Sequence, residues 1–282
     1  MKVIRSTVQM TAVSRRLQRQ GKRIGLVPTM GALHEGHGSL IRAAARQNDV
    51  VIVAIFVNPL QFGPREDFAR YPRSLGWDVR LAQAAGADLV FAPTVKEVYP
   101  DSFLMSIEPG PLANRWEGRS RPGHFRGVAT VVTVLFQLTR PTHAYFGQKD
   151  YQQAAIIRRL VKDLRFPLTL HVLPTVREPD GLAMSSRNAS LNPEERRQAT
   201  VLYRSLHAAR GRIRAGERRA APILAEMRRL IRREPAARLD YAAAVDAETL
   251  KPLRRLRGRL VILLAVWIGR TRLIDNLVVG VS

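Results

Sequence analysis

Between residues 23 and 174, short β-branched apolar runs alternate with segments of helical periodicity. That alternation restricts the chain more than any other feature. RIGLVPT (23–29), ADLVFAP (87–93) and LTLHVLP (168–174) read as strands, as does HAYFG at the start of HAYFGQKD (143–150). DVVIVAIFVNP (49–59) is an almost unbroken apolar run, the pattern of a strand covered on both faces. GSLIRAAARQ (38–47) places Leu40, Ile41, Ala44 and Ala45 near one helix face. Residues 67–86, ending at Gly86, and 151–165 read as further helices. GVATVVTVLFQLTR (127–140) is rich in β-branched residues, but its length and lack of turn residues favour a buried helix. Strands alternating with helices imply an α/β fold with a Rossmann-like parallel sheet covered on both sides.

Beyond about residue 175 the pattern changes. TVREPDGLAMSSRNASLNP (175–193) is rich in Pro, Gly, Ser and Asn and reads as a linker or functional loop. Two arginine-rich amphipathic helices, 193–216 and 219–235, are followed by strand, turn and hairpin patterns over 239–253 and 259–277. We therefore expect a main domain over 1–176 and a second, smaller α/β domain over 177–282.

The 282 residues contain no cysteine, which excludes disulfides, thiolate nucleophiles and cysteine-based metal centres. No run of about 18 uncharged apolar residues and no long apolar leader is present, so a soluble, cytoplasmic chain is expected. The net charge of +23 suits an anionic partner, yet only six of the 46 basic residues are lysines, and the arginines are spread along the chain. A nucleic-acid-binding module is the rival this charge suggests; diffuse arginines without a binding motif argue against specific nucleic acid.

TMGALHEGHGSL (29–40) follows the first of these strands and leads into a helix. Its histidines, His34 and His37, are three apart with Gly36 between them, whereas a zincin helix needs H-E-x-x-H to aim two imidazoles at one ion. The stretch is neither a Walker A loop nor G-x-G-x-x-G. A strand, a glycine loop and a helix start instead suit an anion. Gly31, Gly36 and Gly38 would let the backbone approach a phosphate, and a helix beginning near His37 would offer it free N–H groups, with the imidazoles as further donors. What remains is the H-x-G-H pattern of nucleotidyl-transferring folds.

Six segments in order, PTMGALHEGH, FVNPLQFG, RPGHFRGVATVV, YFGQKDYQQ, MSSRN and TRLIDN, resemble the pantoate–β-alanine ligase (pantothenate synthetase) family. This family belongs to the H-x-G-H adenylyltransferase superfamily, which includes the class I aminoacyl-tRNA synthetases. The resemblance implies a homodimeric ligase of pantothenate and coenzyme A biosynthesis, with the smaller domain covering the active site. It would condense pantoate with β-alanine using ATP and Mg²⁺, through a pantoyl-adenylate, releasing pyrophosphate and AMP. It also implies catalytic roles for His34, His37, Lys149 and Arg187, with His37 as general acid. ATP would be held by Met30, Gly31, Ala32, Leu33, His34, Glu35, Gly36, His37, Gly147, Gln148, Lys149, Asp150, Val176, Met184, Ser185, Ser186 and Arg187, and pantoate and β-alanine by Pro28, Met30, Gln61 and Gln153.

These residue types fit the chemistry. Adenylyl transfer depends on positioning and charge neutralisation, so basic donors should converge on the triphosphate. Lys149 follows a strand, where open parallel sheets bind ligands. Ser185, Ser186 and Arg187 offer hydroxyl and guanidinium donors on a segment that resembles a mobile closing loop. An amide both donates and accepts, which suits Gln61 and Gln153 to a hydroxy acid, with Pro28, Met30, Phe56, Val57 and Phe62 as an apolar wall. In RSRPGHFRG, Arg119, Arg121 and Arg126 add charge and His124 can brace the loop. His143, His171 and His207 read as structural. Magnesium would be held largely by phosphate and water, with Asp78 or Asp88 assisting. The chain departs from the family pattern at Gly38, where a leucine is usual, and at Gln148, where FGQKD replaces FGEKD. Another H-x-G-H nucleotidyltransferase or acid-activating ligase is the alternative within the same chemistry.

Overall fold

The computed structural model describes residues 1–63, 68 and 71–281. Six strands, β1 (Lys2–Ile4), β2 (Ile24–Thr29), β3 (Val50–Ile55), β4 (Leu89–Phe91), β5 (His143–Gly147) and β6 (Thr169–Leu173), form one parallel sheet in the order β1-β4-β3-β2-β5-β6. The unbroken apolar runs follow from burial on both faces. Leu26 and Ile52 enter one core with Val128, Val132 and Ile157, while their neighbours Val27 and Val53 enter another with Leu40, Ile41 and Ala44. The ambiguous segment after residue 123 is the buried helix His124–Thr139. Gly127 is required there, because a Cβ would sit 2.1 Å from the carbonyl oxygen of Leu60 in the turn Pro59–Gln61.

Two expectations change. The helix expected over 67–86 lies partly outside the described residues, at 67, 69 and 70. Its described part is helical only over Leu75–Ala84, with Ser74 ahead of the first turn. The helix expected over 193–216 is two helices, Pro193–Ala199 and Val201–Arg214. They part at Thr200, whose N–H and hydroxyl both reach back to the Arg197 carbonyl at i−3 instead of continuing the i−4 ladder.

The chain forms two compact units. The first comprises Met1–Gly147 and Gln152–Pro174, and the second comprises Gln148–Tyr151 and the chain from Thr175 onward. The expected boundary near residue 176 therefore omits a four-residue turn that belongs with the later segment. In the second unit β7 (Ala237–Asp246), β8 (Gly258–Ile268) and β9 (Thr271–Val281) form an antiparallel sheet. Leu260, Ile262, Leu264 and Val266 alternate along β8 into a core shared with Leu202, Leu206, Ile223 and Met227 of the helices Val201–Arg214 and Ala220–Ile231. Among the described residues no helix is long and apolar enough to cross a membrane.

Candidate active site

The strand order reverses at β2, with β3, β4 and β1 on one side and β5 and β6 on the other. Open parallel sheets take ligands beyond the C-terminal strand ends at such a point. The loop leaving β2 holds the two histidines.

That loop is built by its own side chains. Gly31 is left-handed at φ 84° and Ala32 at φ 51°, the second at a cost of about 1–2 kcal/mol for a residue with a Cβ. The Asp78 carboxylate holds the residues that follow Gly31: Oδ2 accepts from the Ala32 N–H at 3.1 Å and Oδ1 from the Leu33 N–H at 2.7 Å. A Cβ on residue 31 would lie 2.9 Å from Oδ2. Asp78 is buried; desolvation pushes its pKa up, and the Leu33 and Ala32 bonds pull it down. Trp77 donates its indole N–H to the Leu33 carbonyl, and the Thr29 hydroxyl accepts from Gly31 N–H and donates to Ala54 O.

The helix Glu35–Gln47 begins two residues earlier than the sequence suggested, and His34 is its N-cap. His34 Nδ1 accepts from the Gly36 N–H at 3.1 Å, and His37 Nδ1 accepts from the His34 N–H at 3.3 Å. Most of the N–H groups expected to face a phosphate are thus already bonded. The N–H groups of Gly31, Ala32, Leu33, His34 and Gly36 bond side chains of the loop and its braces, and those of His37 and Gly38 bond the His34 carbonyl. With each Nδ1 an acceptor, the neutral rings carry their proton on Nε2. Their centroids are 4.2 Å apart, so two imidazole N–H donors are paired at the end of β2. The Leu33 side chain is core, not site surface.

Gly38 has a local explanation. The Glu35 and Arg42 side chains form an ion pair over it, and a Cβ would meet Arg42 Nη1 at 3.2 Å and Glu35 Oε2 at 3.3 Å.

Beyond β3, the buried Asn58 organises the next candidate. Its Nδ2 donates to Gly127 O at 3.0 Å and to Gln61 Oε1 at 3.1 Å, while Oδ1 accepts from Leu60 N–H and the Tyr99 hydroxyl. Gln61, also buried, donates to Met30 Sδ, so these two expected substrate residues are in contact. Asn58 and Tyr99 were missed; the N-P-L-Q segment contained the signal in an asparagine capping the turn that carries Gln61. His124 braces this turn: Arg121 donates to Nε2 at 3.0 Å, so the neutral ring donates from Nδ1 to Gln61 O at 2.9 Å. Pro28 lies within β2, opposite Ala54. Gln152 anchors the 112–117 segment by accepting from Glu117 N–H and donating to Leu112 O and Arg115 O; Gln153, half-buried, follows it on the helix Tyr151–Asp163.

The remaining candidates belong to the second unit. Asn276 Nδ2 donates to the carbonyls of Gln148 and Lys149, both at 2.9 Å, and its Oδ1 accepts from the Gln148 amide at 3.3 Å. Position 148 therefore meets an acceptor, which a glutamine satisfies and an ionised glutamate does not. Lys149 Nζ lies 3.8 Å from Asp150 Oδ1. Gly147, the residue before this turn, ends β5 in the first unit. Val176 accepts from the Met184 N–H, and the Ser185 hydroxyl caps the turn Ser186–Ser190 by accepting from Arg187 N–H; the Arg187 side chain is exposed. The segment is anchored by Arg177, which donates to both oxygens of the buried Asp275 at 2.7 and 3.0 Å and lies over the Tyr203 ring.

Asp78 and Asp88, expected to assist magnesium, each bond main-chain N–H groups. Asp78 bonds the histidine loop, and Asp88 Oδ2 accepts from Val51 N–H at 2.8 Å. No group of three or more His, Asp or Glu suited to a metal ion occurs among the described residues. His143 bonds Thr142 and His171 stacks on Tyr145. The His143 pKa is lowered by burial and by His171 and Arg23. His207 packs near the Tyr203 ring.

Comparison with known proteins gives one consistent result. The family profile described as Pantoate-beta-alanine ligase matches residues 2–278. A pantothenate synthetase of Moorella thermoacetica is 57% identical over 265 residues, covering 94% of each chain. The crystal structure of pantothenate synthetase from Thermus thermophilus is 48% identical, with a TM-score of 0.93 over 98% of this chain and 99% of that one. A Francisella tularensis pantoate-beta-alanine ligase, complexed with beta-gamma ATP and beta-alanine, is 39% identical, with a TM-score of 0.79 over 98% and 97%.

Proposed function

The chain belongs to the pantoate–β-alanine ligase family, and from that premise we propose that it condenses pantoate with β-alanine at the expense of ATP. A pantoate carboxylate oxygen attacks the α-phosphorus, the bond to the β-phosphate oxygen breaks, and pyrophosphate leaves. The β-alanine amine then attacks the acyl carbon of the pantoyl-adenylate; AMP leaves with the bonding pair, and the nitrogen loses a proton.

The reciprocal cap of His34 and His37 is the observation that carries this reading. It holds two neutral imidazoles in one tautomer and pairs their Nε2–H donors at the end of β2, where an anionic ligand would meet them. His37 is assigned the donor to the oxygen on which charge develops as pyrophosphate departs, with His34 beside it. Lys149 and Arg187 are assigned to the phosphates, with the Ser185 and Ser186 hydroxyls as donors. The nucleotide would also touch Met30, Gly31, Ala32, Glu35, Gly36, Gly147, Gln148, Asp150, Val176 and Met184; Leu33 can contribute only main chain. Gln61 and Met30, with Pro28 and Gln153, are assigned to pantoate and β-alanine. Because Asp78 and Asp88 already bond main-chain N–H groups, magnesium is assigned to the substrate as MgATP, with phosphate and water ligands.

The test is pantoate- and β-alanine-dependent AMP release from ATP, repeated with His37→Ala. The substitution should lower kcat about 10²- to 10³-fold, the loss found when one preorganised donor to a developing oxyanion is removed. Activity with other acids but not with pantoate would refute the substrate assignment. A homodimer and a cytoplasmic location are part of the same proposal. Sedimentation velocity showing only monomer would remove the dimer.

A further inference from the structure

The Asn58 amide has one orientation, fixed by the main chain. A carbonyl can only accept and an N–H only donate, so the group at 3.0 Å from Gly127 O is Nδ2 and the group at 3.2 Å from Leu60 N is Oδ1. The Tyr99 hydroxyl, 2.9 Å from Oδ1, must then donate. Asn58 in turn donates to Gln61, which obliges Gln61 to present its carbonyl inward and its NH₂ group toward Met30. Donors thus run in one direction, from Tyr99 through Asn58 to Gln61.

We propose that Tyr99 is a positioning residue that completes the hydrogen-bond set of Asn58 and so holds the Gln61 amide in the polarity the main chain sets, with its NH₂ group as the donor offered to an oxygen of the hydroxy-acid substrate. The inference rests on the pantoate assignment made above and adds a residue that touches no substrate. Its ring is seated edge-on to Phe56 at 5.8 Å and tilted against Phe103 at 4.9 Å, so the hydroxyl is aimed by packing as well as by its bond. Burial raises its pKa far above the usual phenol range, so the proton it donates stays in place at any working pH. Without that hydroxyl, Asn58 Oδ1 keeps only the longer Leu60 bond. A buried amide with one partner missing gains freedom to rotate, and Gln61 loses its fixed acceptor contact.

The experiment is a double-mutant cycle on Tyr99→Phe, which keeps the ring and removes the hydroxyl, and Gln61→Ala. Steady-state AMP formation and calorimetric pantoate binding are read in all four proteins. Tyr99→Phe should raise the pantoate KM and Kd about tenfold and leave the ATP KM within twofold. In the Gln61→Ala background the same substitution should change pantoate binding by less than twofold, because there is no amide left to orient. A residue that merely supports the fold would weaken ATP and pantoate together and by the same factor in both backgrounds; that result, or an unchanged pantoate KM, overturns the inference. If the unsubstituted protein neither binds pantoate nor releases AMP with it, the functional reading falls and this inference falls with it.

Discussion

The loop at Gly31–Gly38 owes most of its shape to residues a few positions away, whereas the turn at Gln148–Asp150 owes its shape to Asn276, 128 residues beyond Gln148. In the first, neutral bonds between two imidazoles and their own main chain set the helix start, with the adjacent Trp77 and Asp78 as distant braces. In the second, Asn276 follows Asp275, the buried carboxylate that clamps Arg177 and with it the segment carrying Ser185–Arg187. Local caps fix a site early and cheaply. Long-range clamps make the donor groups depend on the whole surrounding fold.

The largest test of that contrast is Asp275→Ala. Removing the carboxylate leaves the Arg177 guanidinium with the Gly181 carbonyl and the Tyr203 ring but no counter-charge. Breaking a buried pair from one side costs about 3–5 kcal/mol, read as a fall in the urea midpoint at constant m. A loss below about 1 kcal/mol would mean the segment is held by something other than this clamp. Nothing comparable is expected from cutting the local cap.

The cap can be separated from the chemistry by His34→Asn. Asparagine is among the best N-cap residues, so stability should stay within about 0.5 kcal/mol of the original, while His34→Ala should cost about 1 kcal/mol. Adenylate formation should fall about 10²-fold in both, because neither retains an Nε2–H donor beside His37. Full activity in the asparagine variant would reduce His34 to a structural cap.

The same contrast decides what was legible in the sequence. The β-branched runs identify the parallel sheet because period-2 burial on two faces leaves no polar positions. The H-x-G-H spacing identifies the donor pair because its bonds are local. Asp78 was not legible in its true role: its partners lie 45 and 46 residues earlier, and a lone aspartate on a helix resembles any solvated acid. The break at Thr200 was hidden because Thr200 and its neighbours include no glycine or proline to mark an interruption. Asn58, Tyr99 and the Gln148–Asn276 pairing depend on contacts between segments far apart in the chain, which no periodicity reports. For Gln148 the sequence showed only a departure, and the structure supplies its partner.

Gly38 gives the smallest effect and the cleanest check on local control. A glycine inside a helix costs about 1 kcal/mol relative to alanine, so Gly38→Ala should recover that much. Against it stands the Glu35–Arg42 pair, whose exposed flexible ends must shift a few tenths of an ångström to admit the methyl group. An exposed pair contributes about 0.2–1 kcal/mol, so the variant should be more stable by about 0.5 kcal/mol, a rise of one or two degrees in Tm for a chain of this size. Activity should be unchanged, because none of the four atoms in the two imidazole cap bonds belongs to Gly38, Glu35 or Arg42. A loss of activity with gained stability would mean that the ion pair over Gly38 holds Glu35 in place for the nucleotide, adding Arg42 to the site.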